Sequence, residues 1–376
     1  MLRTRHSPLR RRVLLGAGAA LALPALAQPG RPAARAVTVA QLHDVSIAQQ
    51  DVSKDFLIGS RAAWQDINGR GGLRGRPVQH LAIEVDGSAA SLRAAVAQIR
   101  DNPACVVLSG SCGDPVAGGL VQLLRQDNLA IAHAAPWLQN SSIEIDDRTF
   151  PIFAARQEQI AHALKSLSVM GLHEAGAVFA SAEEHRLYRD DLDRTAAGLK
   201  LKLQSFRGEG DLVRLGQRLG ANSPAVLLFV GGTPELVQFT QGLEKQARQR
   251  YVVALADVNL QTVMQMGAGR HTPVIATQAV PMVTAGLPVV RTYRDTLARL
   301  FDEPPAPLSL AGFIAARYTF EVLNDIDAPT RASTLAAFQR RAALDLGGYR
   351  VVFDARRRSA TYVTQSMLTV DGRMVG

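Results

Sequence analysis

Short apolar runs alternate with amphipathic stretches along most of the chain, and that alternation predicts an α/β protein. Residues 37–42 read as a first strand, after which Phe56, Gly59, Ala63 and Ile67 mark one face of a helix that Asn68-Gly69 closes. A turn rich in glycine and arginine leads to a second strand, residues 80–85. Leu92, Ala95, Val96 and Ile99 then have the i, i+3, i+4, i+7 spacing of an amphipathic helix. Residues 106–108 read as a third strand, a helix starts near Asp114, and residues 129–132 read as a fourth strand. The second half repeats the order. Ile160, Ala163, Leu164 and Leu167 form a helix stripe, and residues 175–179, 226–230, 252–255 and 274–276 are short apolar strands. None of these runs alternates between apolar and polar. They read as strands buried on both faces, as in parallel sheets covered by crossover helices, and two such series predict two doubly wound lobes. A chain of 376 residues that is 47% hydrophobic can bury a core in each lobe without disulfide staples.

In sheets of this kind a ligand sits outside the carboxyl ends of the strands, so the loops that follow strands are the candidate site. They bring forward His43, the stretch 109–115 with Ser111 and Asp114, the stretch 134–137 with Ala134, Ala135 and Trp137, and further along Gly231 and Asp257. Asp114-Pro115 and Thr233-Pro234 each place a capping side chain before a proline suited to the first helical turn. Beyond the cap, a carboxylate at Asp114 favours a cationic or hydroxylated ligand over an anion. Trp137 offers a ring for stacking. Ser109-Gly110-Ser111-Cys112-Gly113 falls where a hydrolase nucleophile would, but Ser109 stands where that motif needs glycine. A small-residue loop that admits a ligand to backbone N–H groups is the better reading; a secreted hydrolase built on Ser111 or Cys112 is its rival from another class.

The remaining polar residues narrow the chemistry. The eight histidines have no metal-ligand spacing, so neither a metal nor a cofactor is implied. His80 and His133 read as structural, Trp64 as a core residue, and Asp190, Asp191 and Asp193 as an exposed helix face. Cys105 and Cys112 flank a strand, which holds them too far apart to bridge.

At the start of the chain, Arg10, Arg11 and Arg12 precede an apolar run that ends in Ala25-Leu26-Ala27. This reads as an export signal over residues 1–27, twin-arginine in style, with cleavage before Gln28 and a tether over residues 28–36. Arg3, Arg5, Arg10, Arg11 and Arg12 supply five of the nine net positive charges. What remains is mildly basic, and no basic run with interleaved aromatics points to nucleic acid.

Several stretches resemble the type I periplasmic binding proteins of the leucine/isoleucine/valine class, the extracytoplasmic receptors of ABC importers. Residues 63–76, AWQDINGRGGLRGR, look like that family's first helix and its glycine turn. Residues 287–293, LPVVRTY, resemble a late helix entry, residues 312–317 the following helix, and residues 349–373, with Val370-Asp371-Gly372-Arg373 as a turn, the closing strands. The resemblance implies two α/β lobes joined by three crossovers near Arg156, Pro281 and Gly347. The lobes would be residues 37–155 with 282–346, and residues 156–281 with 347–376. It further implies a monomer that closes its lobes over a small molecule and presents it to an ABC permease, or alternatively to a sensor kinase. Where amino-acid binders of the family hold the ligand with hydroxyl residues, this chain has Asp114 and Trp137 around Ala135, and Tyr188 and Asp257 fall near the second lobe's contacts. A partly apolar ligand other than a simple branched-chain amino acid is the expectation.

Overall fold

The protein is seen here as a computed structural model that describes residues 36–268, 271–359, 362–369 and 374–375. The expected export signal, most of the expected tether and the turn expected at residues 370–373 lie outside the described residues.

The first sheet grows by strand–helix alternation: β1 (Val37–Asp44), α1 (Gln50–Gly69), β2 (Val78–Val85), α2 (Ala89–Asp101), β3 (Cys105–Ser109), α3 (Asp114–Gln126), β4 (Ala132–Ala134) and β5 (Thr149–Phe150). Its five strands lie in the order β2-β1-β3-β4-β5, all parallel. Side chains on a strand alternate between faces. Val37 and Val39 of β1 accordingly join one apolar cluster, while Ala40 and Leu42 join another.

Helix α4 (Arg156–Val169) leads into the second sheet, through β6 (Glu174–Phe179), α5 (Ala182–Gly198), β7 (Lys202–Arg207), α6 (Leu212–Arg218), β8 (Val226–Val230), α7 (Thr233–Leu243), β9 (Tyr251–Ala254), α8 (Leu260–Gln265) and β10 (Val274–Gln278). The chain then returns to the first lobe as α9 (Pro288–Leu300), α10 (Pro307–Asn324) and α11 (Arg331–Gln339). A small ribbon of β11 (Leu344–Asp345) and β12 (Arg350–Val351) precedes β13 (Thr364–Leu368) and β14 (Met374–Val375), which complete the second sheet in the order β14-β13-β10-β9-β8-β6-β7. Three passages between the lobes result, after β5, β10 and β12, which is the expected architecture.

Two expectations need correction. The fourth strand begins at Ala132, because α3 runs to Gln126 and Asn128 turns the chain in a left-handed conformation (φ 46°) before pairing can start. Strand β7 was not anticipated: its sequence, KLQSFR, is polar, as suits an edge strand with exposed positions.

The glycine in the stripe of α1 has a packing reason. A Cβ at Gly59 would collide with the backbone of Ser309, and one at Gly312 with the backbone of Phe56, so α1 and α10 cross backbone to backbone. Trp64 is buried in the same cluster, and both cysteines are free and buried, as expected. Among the described residues, no helix is long and apolar enough to cross a membrane.

Candidate functional site

The loops after β3 and β4 are stitched into one unit. Gly110 N–H donates to the Ala134 carbonyl (2.9 Å) and Trp137 N–H to the Ser111 carbonyl (2.8 Å). Asp114 Oδ1 accepts from the N–H groups of Gln139 (2.8 Å) and Asn140 (2.9 Å). Asp114 and Thr233 therefore differ from the expected caps. Gly113 and Gly232 hold the cap positions, and the two side chains are used to join loops, Thr233 Oγ1 accepting from Asn259 N–H at 2.9 Å. The prolines occupy the first turns of α3 and α7 as anticipated. Ala135 is held at φ 47°, a strained conformation for a residue with a Cβ. Its N–H donates to the Phe150 carbonyl.

Trp137 leaves this unit and crosses to the other lobe. Its ring packs on Phe56 (centroids 5.8 Å apart) and Phe153 (5.3 Å), and its indole N–H donates to Asp257 Oδ1 at 3.2 Å. Asp257 follows β9, and its other oxygen accepts from Arg156 Nε at 2.7 Å. The pair is dry, with the Arg156 side chain 9% exposed and that of Asp257 1%. The Arg156 guanidinium lies 5.4 Å from the ring centre of Tyr188, on α5. Burial works against the arginine's charge, but Asp257 and Asp114 more than offset it and hold the guanidinium protonated. Burial raises the Asp114 carboxyl, with Arg156 opposing and Asp257 adding to the rise. Tyr188 is raised chiefly by burial as well.

One turn into α4, Gln159 makes four hydrogen bonds with one carboxamide. Its Nε2 donates to Gln139 Oε1 (2.5 Å) and the Ala154 carbonyl (2.9 Å), and its Oε1 accepts from Ala256 N–H (2.8 Å) and Thr277 Oγ1 (3.0 Å). A second polar contact joins the lobes beside the cleft. Asn259 Nδ2 donates to Asp55 Oδ2 of α1 at 2.9 Å, and Asp51, one turn earlier, lies beside Thr233.

Ser111, Asp114, Trp137, Tyr188 and Asp257 thus gather with Arg156 around one junction. Ala134 and Ala135 form its backbone wall. Gly231 packs instead against Ala180 and Phe229, where a Cβ would not fit. His43 is a strand residue, not a loop residue; its charged neighbours are Glu84, Arg61 and Asp44, and burial lowers its pKa. His80 and His133 are lowered by burial to about 4 and about 3, in keeping with structural roles.

Ser111 Oγ has no hydrogen-bond partner, and burial pushes the Cys112 thiol up, so neither is an activated nucleophile. No group of three or more histidine, cysteine, aspartate or glutamate side chains among the described residues could hold a metal ion. A recess of about 780 Å³ lies along residues 141–147 and 355–358; its lining holds four arginines and four carboxylates, which give it no preferred charge.

Arg156 and Gln159 were not singled out from sequence. One signal was available: Arg156 stands in the first turn of a helix, where the macrodipole disfavours a cation, so its presence calls for an acidic partner.

Two α/β lobes with a polar junction at the carboxyl ends of their strands define a two-lobed binding protein. The periplasmic binding protein family model matches residues 36–369, and the chain belongs to that family. Among solved structures, an extracellular ligand-binding receptor from Verminephrobacter eiseniae superposes with a TM-score of 0.81 at 16% identity, covering 91% of this chain and 100% of that one. A fatty acid ABC transporter substrate-binding protein from Thermomonospora curvata gives 0.77 at 13%, over 91% of each chain. A branched-chain amino acid transporter substrate-binding protein from Streptococcus pneumoniae, in complex with isoleucine, gives 0.76 at 11%, over 91% of this chain and 98% of that one. At such identities the likeness is one of fold. No curated protein matches the sequence.

Proposed function

We propose that the chain is an extracytoplasmic solute-binding receptor that closes residues 37–155 with 282–346 against residues 156–281 with 347–376 over a small organic ligand. It then presents that ligand to an ABC permease. The observation that carries this reading is the bridge from Trp137 through Asp257 to Arg156, which joins post-strand loops of both lobes where ligands of doubly wound sheets bind. Two of these structural neighbours are ABC transporter substrate-binding proteins, one for fatty acids and one for branched-chain amino acids, so the fold serves chemically different ligands. Here Asp114 argues against a simple branched-chain amino acid. At about 4 Å, two like charges repel by about 4 kcal/mol where the effective dielectric constant is near 20.

The test is a thermal-shift screen of the purified chain against amino acids, amines, amides, alcohols and aromatic acids. A ligand at 100 times its Kd stabilises the fold by about 2.7 kcal/mol, a readily measured shift. Isoleucine is expected to give none. Failure of every compound, after unfolding and refolding to strip carried ligand, would count against a receptor. Export belongs to the same reading, with the leader removed before Gln28. Changing Arg10 and Arg11 to lysine should stop a reporter fusion from leaving the cytoplasm, and undiminished export would rule out the twin-arginine route.

A further inference from the structure

The cleft is richer in carboxylates than in cations that could balance them. Around the junction stand Asp114, Asp257 and Asp51, with Glu158 and Asp354 behind them, against the two guanidinium groups of Arg156 and Arg358. Both guanidinium groups already have partners within the protein. Arg156 Nε is committed to Asp257 at 2.7 Å. Arg358 donates to the main-chain carbonyls of Leu138, Asn140 and Ile143, and its backbone N–H to Asp354. Asp114 meets its two backbone donors with one oxygen only, Oδ1, and it remains partly exposed while the residues on either side of the junction are buried.

A second observation also points to a ligand. Ser111 is fully buried, yet its hydroxyl has no hydrogen-bond partner, and Tyr188, 1% exposed, has only the Arg156 guanidinium beside its hydroxyl. Buried polar atoms are normally satisfied, and each exception calls for an explanation. Tyr188 senses the charges of Asp114, Asp257 and Arg156, which puts it at the junction, and Ser111 is tied to Trp137 through its carbonyl. Two hydroxyls and a carboxylate oxygen on an aromatic wall form a receiving set for a group that donates hydrogen bonds and carries positive charge.

Building on the receptor reading, we infer that the ligand is an organic cation: its charged nitrogen is held by Asp114, its other donors by Ser111 Oγ and Tyr188 OH, and its apolar part by Trp137. A free carboxylate on the ligand would meet Asp114, and the two cations nearby already answer Asp257 and main-chain carbonyls. Ligand binding should therefore weaken as pH falls, because burial has already moved the Asp114 carboxyl toward protonation. The charged groups facing it are Arg156, Asp257 and Arg358.

The experiment compares matched probes on the purified chain by thermal shift and calorimetry: phenethylamine, phenethyl alcohol, phenylacetate and phenylalanine, with choline and agmatine as cations of other shapes. At least one cation is expected to bind at pH 7.5, at least tenfold more tightly than its neutral analogue, and to weaken at pH 5. Asp114→Asn keeps the Oδ1 acceptor for Gln139 and Asn140, so the fold is retained, and it should reduce cation affinity at least tenfold. Binding of phenylacetate or phenylalanine in preference to the amines would overturn the charge assignment and leave the receptor standing. Cation binding that Asp114→Asn does not change would overturn the role of Asp114. If no probe of any charge binds, the receptor reading itself fails.

Discussion

Arg156 is placed where helix electrostatics argue against it, and one residue far away in sequence makes the position tolerable. Asp257 lies 101 residues on, and the two meet out of water. Taking one partner away leaves the other charged and buried, which costs about 3–5 kcal/mol, whereas replacing both by apolar groups can be nearly neutral. Arg156→Met should therefore lower stability by about 3–5 kcal/mol in urea unfolding, and adding Asp257→Leu should restore a good part of it. A double variant no more stable than Arg156→Met would show that the pair is not an energetic unit. The same separation explains why sequence reading reached only part of the site. Asp114, Trp137 and Asp257 follow from their places after strands, and Tyr188 from the family resemblance. Arg156 and Gln159 owe their roles to partners that only tertiary folding supplies. His43 was drawn in because the apolar run of β1 ends at Leu42, whereas pairing with β2 continues to Asp44.

Helices carry two further consequences. Because α1 and α10 meet at Gly59 and Gly312, a methyl group at either position has nowhere to go. Gly312→Ala should cost about 1–3 kcal/mol, as overpacked cores do. Gly69→Ala, with open space around its Cβ, serves as a control that leaves the melting temperature almost unchanged. Helix α1 also turns Asp51 and Asp55 toward the starts of α7 and α8. Burial lifts the Asp55 carboxyl to about 6, with the Asn259 hydrogen bond and Lys54 opposing, and Asp51 and Glu303 adding to the rise. The folded chain therefore holds a proton that the unfolded chain has released between about pH 4 and pH 6, and stability falls as pH rises through that window. Asp55→Asn keeps the acceptor for Asn259 and should raise stability by about 1 kcal/mol at pH 7 and by almost nothing at pH 4, read from melting curves. Equal gains at both pH values would mean that charge is not the cause. Element recognition from sequence succeeded where strands are buried on both faces and failed at the sheet margin. There β7 exposes Lys202, Gln204 and Arg207 and looks like any polar loop.

At the scale of the whole molecule, the lobes share one aromatic and ionic junction, and the proposed receptor function predicts that binding and closure are one event. A compound that binds should reduce the radius of gyration in small-angle scattering. It should also change the emission of Trp137, isolated in a Trp64→Phe background; bound ligand with neither change would argue against a hinge. The position of Gln159 adds a mechanical constraint. One amide holds residues of both lobes at hydrogen-bond length, and such bonds tolerate little stretching. A rotation that opened the mouth could preserve them only if its axis ran close to this side chain. Gln159 is then the fulcrum, Trp137 and Asp55 lie on the arms, and the travel of any contact grows with its distance from that amide. Under the proposed receptor function, a change of ligand size would be absorbed at the mouth, while the angle through which the arms swing would be set at this buried amide.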